Sequence, residues 1–141
     1  MILGIVAGVA SKTLSQGFEA YLNSRHLIDA DWQARFALER MAREIHIIRS
    51  PNDISTATAS QLTFTDINGN SVSYTLSGTS LMRNSQVLAD GVQSATYSYF
   101  TNTGVSTSTA TAIRYITISL NITLNNTNFT VSTSVNPRDL P

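Results

Sequence analysis

Residues 27–49 read LIDADWQARFALERMAREIHIIR, and this stretch decides the fold. Apolar residues recur in it at intervals of three, four and seven, which is the spacing of one face of an α-helix. The other faces carry opposite charges four residues apart, as in Asp31 and Arg35, and such pairs support a helix. Pro51 disfavours helical dihedral angles at Ser50, so we predict that the helix ends there. The apolar face is predicted to pack the helix against a sheet through Leu27, Ala34, Leu38, Met41, Ile45 and Ile48.

Upstream of this face, we predict that the helix continues back to the start of the chain. A helix of residues 2–49 would be about 70 Å long, whereas a compact domain of about 90 residues is only about 30 Å across. The N-terminal part, residues 1–22, is therefore expected to protrude and to be buried by lipid or by other helices. Residues 1–10 carry no polar side chain, and ten residues rise about 15 Å, half of a bilayer core. The residues expected in this membrane or filament-core part are Ile2, Leu3, Gly4, Ile5, Val6, Gly8, Val9, Leu14, Phe18 and Leu22.

An alternative for the same segment is the buried start of an ordinary amphipathic helix. The apolar character of residues 1–10 on all sides argues against it, because a surface helix has one polar face. Gly4 and Gly8 form a G-x-x-x-G sequence, which lets two helices approach closely in a membrane or a bundle. A second apolar group, which includes Ile28, Trp32 and Phe36, lies on a different helix face from the packing residues.

The chain changes character near Ser50, and the remainder is predicted to be antiparallel β-structure. Residues 61–67 and 71–76 alternate apolar and polar side chains around Asn68-Gly69, a strong hairpin signal. Residues 112–124 form the longest alternating run, and alternation returns in residues 129–135. We therefore expect an α+β protein: a long helix, residues 1–50, on an antiparallel sheet head of about six to seven strands, residues 51–141.

Composition excludes several classes of function. The chain has no cysteine, so thiolate nucleophiles and thiolate metal sites are excluded. Nine basic and nine acidic residues cancel, and a neutral chain is not expected to bind nucleic acid. Neither histidine has a partner at metal-ligand spacing, and no serine-nucleophile or phosphate-loop sequence is present. We expect no enzymatic activity, no metal and no cofactor.

Four stretches follow one another along the chain: Ile2-Leu-Gly-Ile5, then Arg35-Phe-Ala-Leu-Glu-Arg-Met-Ala-Arg-Glu-Ile45, then Leu81–Gly91, then Pro137-Arg-Asp139. In this order they are similar to the type IV pilins and type II secretion pseudopilins. The first resembles a sequence in the membrane half of their helix, and the second resembles the R-x-x-x-E-R-x-x-R-E-I stretch of a minor-pilin group. That group contains the J-type pseudopilins, the W-type minor pilins and the minor pilin of mannose-sensitive haemagglutinin pili. Leu81–Gly91 followed by a Tyr-rich strand, and the terminal Pro137-Arg-Asp139, also resemble it.

The resemblance implies a minor pilin or pseudopilin that acts at filament initiation or at the tip. Its partners would be other minor subunits and a major pilin, and its location the bacterial inner membrane, single-pass with a periplasmic head, before entry into an envelope or surface filament. Aligned on Ile2–Ile5, Met1 lies about ten residues into the mature chain of this family. If the native N-terminus lies upstream, the resemblance implies processing by prepilin peptidase and a methylated Phe at the mature N-terminus.

Two uses of the surface remain open at this point. Arg40, Arg43, Glu44 and Arg49 are candidate contacts with neighbouring subunits, or they are simply solvated charges. Alternatively, the head is a tip adhesin that recognises a glycan, a protein or DNA through Tyr97, Tyr99, Tyr115 and the Ser/Thr-rich loop Thr103–Thr111.

Overall fold

The structure, a computed structural model, describes residues 2–124 and 126–137, with side chains described from Gly4 onward. It begins with one helix, α1 (Ile2–His46), of 45 residues, which at 1.5 Å per residue is about 68 Å long. The side chains of Ile2 and Leu3, the residue Met1, and the terminal Arg138 and Asp139 lie outside the description, so predictions that concern them are not tested.

The helix ends about one turn before Pro51. A turn in which Ile48 N donates to Ile45 O, at 3.1 Å, follows His46. His46 itself lies near the other end of the chain, with Nδ1 at 2.9 Å from the carbonyl oxygen of Asn136. A short 3₁₀-helix, Pro51–Asp53, then leads into the sheets, capped by the side chain of Ser50. Helix ends fray by a residue or two beyond what a proline position alone can fix.

Eight strands follow in the described residues, and they form two antiparallel sheets. One sheet has the order β1-β2-β3-β4-β5 and the other the order β6-β7-β8. The prediction of about six to seven strands is wrong in number, because the short first strand, with only its first and last residues apolar, gives almost no alternation signal. The bounds are β1 (Ile54–Ala57), β2 (Gln61–Thr65), β3 (Ser71–Ser77), β4 (Ser80–Arg83), β5 (Gln86–Ala89), β6 (Val92–Phe100), β7 (Tyr115–Leu124) and β8 (Thr127–Val135).

The central strand β7 shows how the sequence builds the core. Its alternate residues Ile116, Ile118, Leu120 and Ile122 are fully buried, whereas the residues between them carry hydroxyl or amide groups and face outward. In β6 a bulge between Val92 and Ser94 shifts the register by one residue. The bulge brings two side chains three positions apart, Val92 and Ala95, to the same inner face.

The second half of α1 covers the remaining side of this core, where it contacts β5, β7 and β8. Among the predicted packing residues, Ala34, Leu38, Met41, Ile45 and Ile48 are buried. Leu27 is only half-buried, because it lies at the end of the packed segment. Ala37, which the sequence pattern did not single out, is buried as well, since a side chain three residues after Ala34 also faces the sheets.

Candidate functional site

The first half of α1 is exposed along its described residues. Every described side chain from Gly4 to His26 is exposed, and the first half-buried residue is Leu27. Between residues 2 and 24 the only charged residues are Lys12 and Glu19. The predicted membrane or filament-core residues whose side chains are described lie fully in this exposed half: Gly4, Ile5, Val6, Gly8, Val9, Leu14, Phe18 and Leu22.

The exposed apolar side chains continue onto the packed half of the helix. At 100° per residue, six of them project within about 40° of a single line along α1. This line lies on the opposite side of the helix from Met41 and Ala34, which face the sheets. Leu14 and Trp32 are 77% and 66% exposed, which is unusual for large apolar side chains on a monomer surface. We call these six residues the outer stripe: Leu14, Phe18, Tyr21, Ile28, Trp32 and Phe36.

The outer stripe contains residue types that are common at protein interfaces. Trp, Tyr and Arg are the residues that carry most binding energy at interfaces. Arg25 lies within the stripe, with its guanidinium 6.0 Å from the ring centre of Tyr21. The surface around Gly4, Gly8 and Gly17 is open, because a Cβ atom added at any of them would meet nothing within 4 Å. A second helix therefore has room to approach this half of α1 closely.

A groove runs beside the outer stripe, between α1 and the edge strand β8. At its N-terminal end it is lined by Ile28, Trp32 and Arg35 from the helix and by Phe129 and Val131 from the strand. Further along, the lining residues of the helix change to Glu39, Ala42 and Arg43. The groove thus combines aromatic and aliphatic side chains with the Asp31–Arg35 ion pair at one end, and its Trp and Phe side chains are absent from the lining at the other.

The four predicted contact residues do not share one environment. Arg43 forms an exposed ion pair with Glu39, at 3.5 Å. Arg49 is exposed, beyond the last residue of α1. Arg40 Nε lies 3.2 Å from Glu44 Oε1. The Glu44 side chain points away from the free surface and contacts the five-stranded sheet. The structure therefore places Glu44 in an intramolecular cluster, since its helix position borders the packed face.

This cluster links α1 to β3 and β4. The Glu44 carboxylate accepts a hydrogen bond from the Tyr74 hydroxyl and further bonds from Arg83 Nε at 2.9 and 3.1 Å. Burial alone would raise the pKa of Glu44, but the bonds from Tyr74, Arg83 and Arg40 outweigh it and hold the pKa below its ordinary value. Burial, and then the bond to Glu44, raise the pKa of Tyr74. The arrangement stabilises one charged carboxylate and offers no free acid or base for chemistry.

The predicted adhesive tyrosines separate into two groups. Tyr97 and Tyr99 are 2% and 5% exposed and face the core between the sheets, and burial raises the pKa of each hydroxyl. The prediction that they form a contact surface is wrong, because alternation places them on one face without indicating which face is inward. Tyr115 is exposed, and so is most of the loop Thr103–Thr111.

Comparison with known proteins gives no match to any family model, and none to a curated protein. Two further results concern metal binding and membrane spanning. The described residues contain no group of three or more His, Asp or Glu side chains that could hold a metal ion. Among residues 2–124 and 126–137, no helix combines the length and the apolar character needed to cross a membrane.

Proposed function

We propose that the protein is a minor structural subunit, a minor pilin or pseudopilin, of an inner-membrane-anchored filament of the type IV pilus or type II secretion kind, acting at assembly initiation or at the tip. The observation that carries the proposal is the division of α1 into two halves. Residues 27–46 hold a globular β head, whereas residues 4–26 are exposed, with only apolar side chains and glycines in residues 4–10 and a mixture of polar and apolar ones after that. A helix of this form is suited to joining a bundle of similar helices.

The energetic argument concerns the outer stripe and the apolar residues before it. Burial of one large apolar side chain contributes about 1.5–3 kcal/mol, and α1 exposes Ile5, Val6, Val9 and the six residues of the stripe. Water is a poor environment for such a surface, and lipid or neighbouring helices remove it from water. The proposed location follows from this: the bilayer of the inner membrane before assembly, and a helical filament core afterwards.

The neighbours proposed for this surface are other minor pilins or pseudopilins and a major pilin. The open surface at Gly4 and Gly8 supports close helix contact, and the exposed Trp32 and Phe36 extend that contact towards the head. We further propose processing by prepilin peptidase of a precursor that begins upstream of Met1. No catalytic, metal-binding or nucleic-acid-binding role is proposed.

Cysteine cross-linking in the native host tests the helix contact directly. Because the chain lacks cysteine, a single introduced thiol is its only cross-linking point. Phe18→Cys, on the outer stripe, should cross-link to a neighbouring subunit in intact cells. Ser77→Cys, an exposed strand residue on the five-stranded sheet, is the matched control and should not. A Phe18→Cys thiol that stays open to a water-soluble maleimide in every assembly state contradicts the proposal.

The N-terminus of the protein from native membranes tests the processing step. The expected result is a chain that begins upstream of Met1 with a methylated Phe, detected by intact mass and N-terminal sequencing. A chain that begins at Met1 would exclude peptidase processing and would leave only the helix contact for the cross-linking experiment to decide.

A further inference from the structure

The two sheets have four edges within the described residues, and three of these edges are blocked. The outer strands of the five-stranded sheet, β1 and β5, have four residues each, and each has a register shift where it pairs with its neighbour. The free edge of β6 is bonded to other segments, since Tyr97 N donates to Ala59 O and Thr107 N donates to Tyr99 O, both at 2.9 Å. Short length, irregular pairing and covering segments are the usual ways in which proteins keep an edge from pairing with another strand.

The fourth edge, that of β8, has none of these features. The strand is nine residues long and pairs with β7 over its whole length without a register shift. Its sequence, Thr127–Val135, contains no charged residue and no proline. Apart from β7, no described part of the chain forms a hydrogen bond with its backbone. A long, regular and uncharged edge of this kind is a template for one more strand.

The register of the β7–β8 hairpin identifies the backbone groups on this edge. Leu124 lies opposite Thr127, so only two residues connect the strands. The pair that closes such a turn is hydrogen-bonded, and bonded and non-bonded pairs then alternate along an antiparallel hairpin. The odd-numbered residues of β8 therefore bond to β7, and the even-numbered ones point their N–H and C=O groups to the open edge: Asn128, Thr130, Ser132 and Ser134.

The groove between α1 and β8 gives an added strand its place. Four consecutive residues of β8, 130–133, line it. Successive residues of a strand point to opposite faces, so a lining of consecutive residues means that the groove follows the edge of β8. The inward side chains of an added strand would meet Trp32 and Phe129 at one end of the groove. At the other end they would meet the ion pair of Glu39 and Arg43.

We propose that the open edge of β8 binds an extended segment of a different protein, which adds a fourth strand to the sheet β6-β7-β8. Backbone chemistry decides the class of ligand, because a row of alternating N–H and C=O groups is matched by another extended backbone. The segment should place apolar side chains against Trp32 and Phe129 and uncharged polar ones on the outer face beside Thr130 and Ser132. This interaction goes beyond the proposed subunit role, which depends on the exposed half of α1.

A second copy of the chain does not fit this edge. Its other edges are blocked, so it would have to offer its own β8. Antiparallel pairing of two β8 strands would point the two exposed halves of α1 in opposite directions. Those halves could not then enter one bilayer or one helix bundle, and this step alone rests on the proposed subunit role.

The fluorescence of Trp32 tests the proposal, because Trp32 is the only tryptophan of the chain and lines the groove. The probe is a synthetic peptide with the sequence of β7, residues 115–124, and two lysines at each end for solubility. This sequence already fits beside β8 with its apolar side chains inward. The control is the same peptide with N-methyl groups on its backbone amides, which keeps the side chains and prevents strand pairing.

The full-length protein, kept in mild detergent, is titrated with each peptide. We expect the unmodified peptide to shift the emission of Trp32 to shorter wavelengths in a saturable way and to protect it from quenching by acrylamide. The N-methylated peptide should do neither. No saturable change with the unmodified peptide, or the same change with both peptides, would overturn the proposal.

Two substitutions of one residue separate the backbone of β8 from its side chains. Ser132→Pro removes an N–H group from the open edge without removing a bond to β7, and such edge positions tolerate proline. It should raise the Kd of the peptide at least tenfold, whereas Ser132→Ala, which keeps the N–H group, should bind within twofold of the unmodified protein. Unchanged binding by a folded Ser132→Pro protein would place the peptide elsewhere and overturn the assignment. Should that variant unfold, the N-methylated peptide still decides.

The same measurement without peptide tests the second copy. A change in Trp32 emission with protein concentration, together with dimers in sedimentation, would mean that β8 pairs with itself and would overturn the proposal of a different partner. Neither experiment involves the filament. Failure here therefore leaves the proposed subunit role to the cross-linking of Phe18→Cys, and failure of that cross-linking leaves the peptide result unchanged.

Discussion

The hydroxyl of Tyr74, on β3, donates a hydrogen bond to the carboxylate of Glu44, on α1. These residues are 30 positions apart in the sequence, and Arg83 on β4 completes the contact by donating to both carboxylate oxygens. Tyr74 is fully buried, with its ring 6.2 Å from that of Phe64. The cluster therefore connects the helix to the five-stranded sheet through polar side chains at the border of the apolar core.

Removing Glu44 should destabilise the protein more than removing an exposed ion pair. Glu44→Ala leaves the buried Tyr74 hydroxyl without an acceptor, and an unsatisfied buried group of this kind costs about 1–3 kcal/mol. Glu39→Ala, which removes the partner of Arg43 on the surface, should cost less than about 0.5 kcal/mol. Urea denaturation of both variants measures the difference. Equal losses in the two would mean that the cluster does not stabilise the packing of α1.

The cluster also predicts how stability depends on pH. The pKa of Glu44 lies below its ordinary value of 4.5 in the folded protein, so the unfolded chain binds a proton more readily than the folded one. The contribution is fully present above that ordinary pKa and is lost as the pH falls through the lower, folded-state pKa. We expect the free energy of unfolding of the unmodified protein to fall between about pH 5 and pH 3 more steeply than that of Glu44→Gln.

The comparison between these two proteins isolates Glu44. Asp66, whose pKa is lowered by hydrogen bonds from the Asn70 and Asn68 backbone amides and the Asn70 side chain, is present in both and cancels. Thermal melts at a series of pH values give the measurement. Parallel curves for the two proteins down to pH 3 would show that the carboxylate titrates in the same range in the folded and unfolded states.

The helix and the hairpin of this fold can be predicted from the sequence, but the long-range contacts between elements cannot. The helix and the strands around Asn68-Gly69 are visible because each depends on neighbours within a few residues. The division into two sheets falls between β5, which ends at Ala89, and β6, which begins at Val92, and alternation does not indicate where one sheet stops. The sequence leaves Glu44 as either a subunit contact or a solvated charge, because nothing near it shows that Tyr74 and Arg83, 30 and 39 residues away, would meet it.

The two opposite faces of α1 should respond differently to truncation. Met41→Ala creates a cavity in the core, because the Met41 side chain is fully buried. Such changes cost about 2–5 kcal/mol of stability. Phe36→Ala removes a 62% exposed ring of the outer stripe and should change the free energy of unfolding by less than about 0.5 kcal/mol. Denaturation measures the free energy of unfolding of both variants. Cross-linking in the native host should show that Phe36→Ala weakens the subunit contact although its stability is unchanged. A large destabilisation by Phe36→Ala would place this ring in the fold and remove it from the proposed interface.

Deletion of the first half of the helix provides the sharpest test of the division of α1. Because no described side chain from Gly4 to His26 is even half-buried, a chain that begins at residue 25 should unfold with a free energy within about 0.5 kcal/mol of the full chain. A chain that begins at residue 35 is the control. It lacks the half-buried Leu27 and Ala30 and the buried Ala34, and it should lose several times that amount. Both are measured by urea denaturation, and the shorter deletion should also abolish incorporation into the filament. Unfolding of the chain that begins at residue 25 would mean that the exposed half of the helix contributes to the fold itself, and the two halves could not then be assigned separate roles.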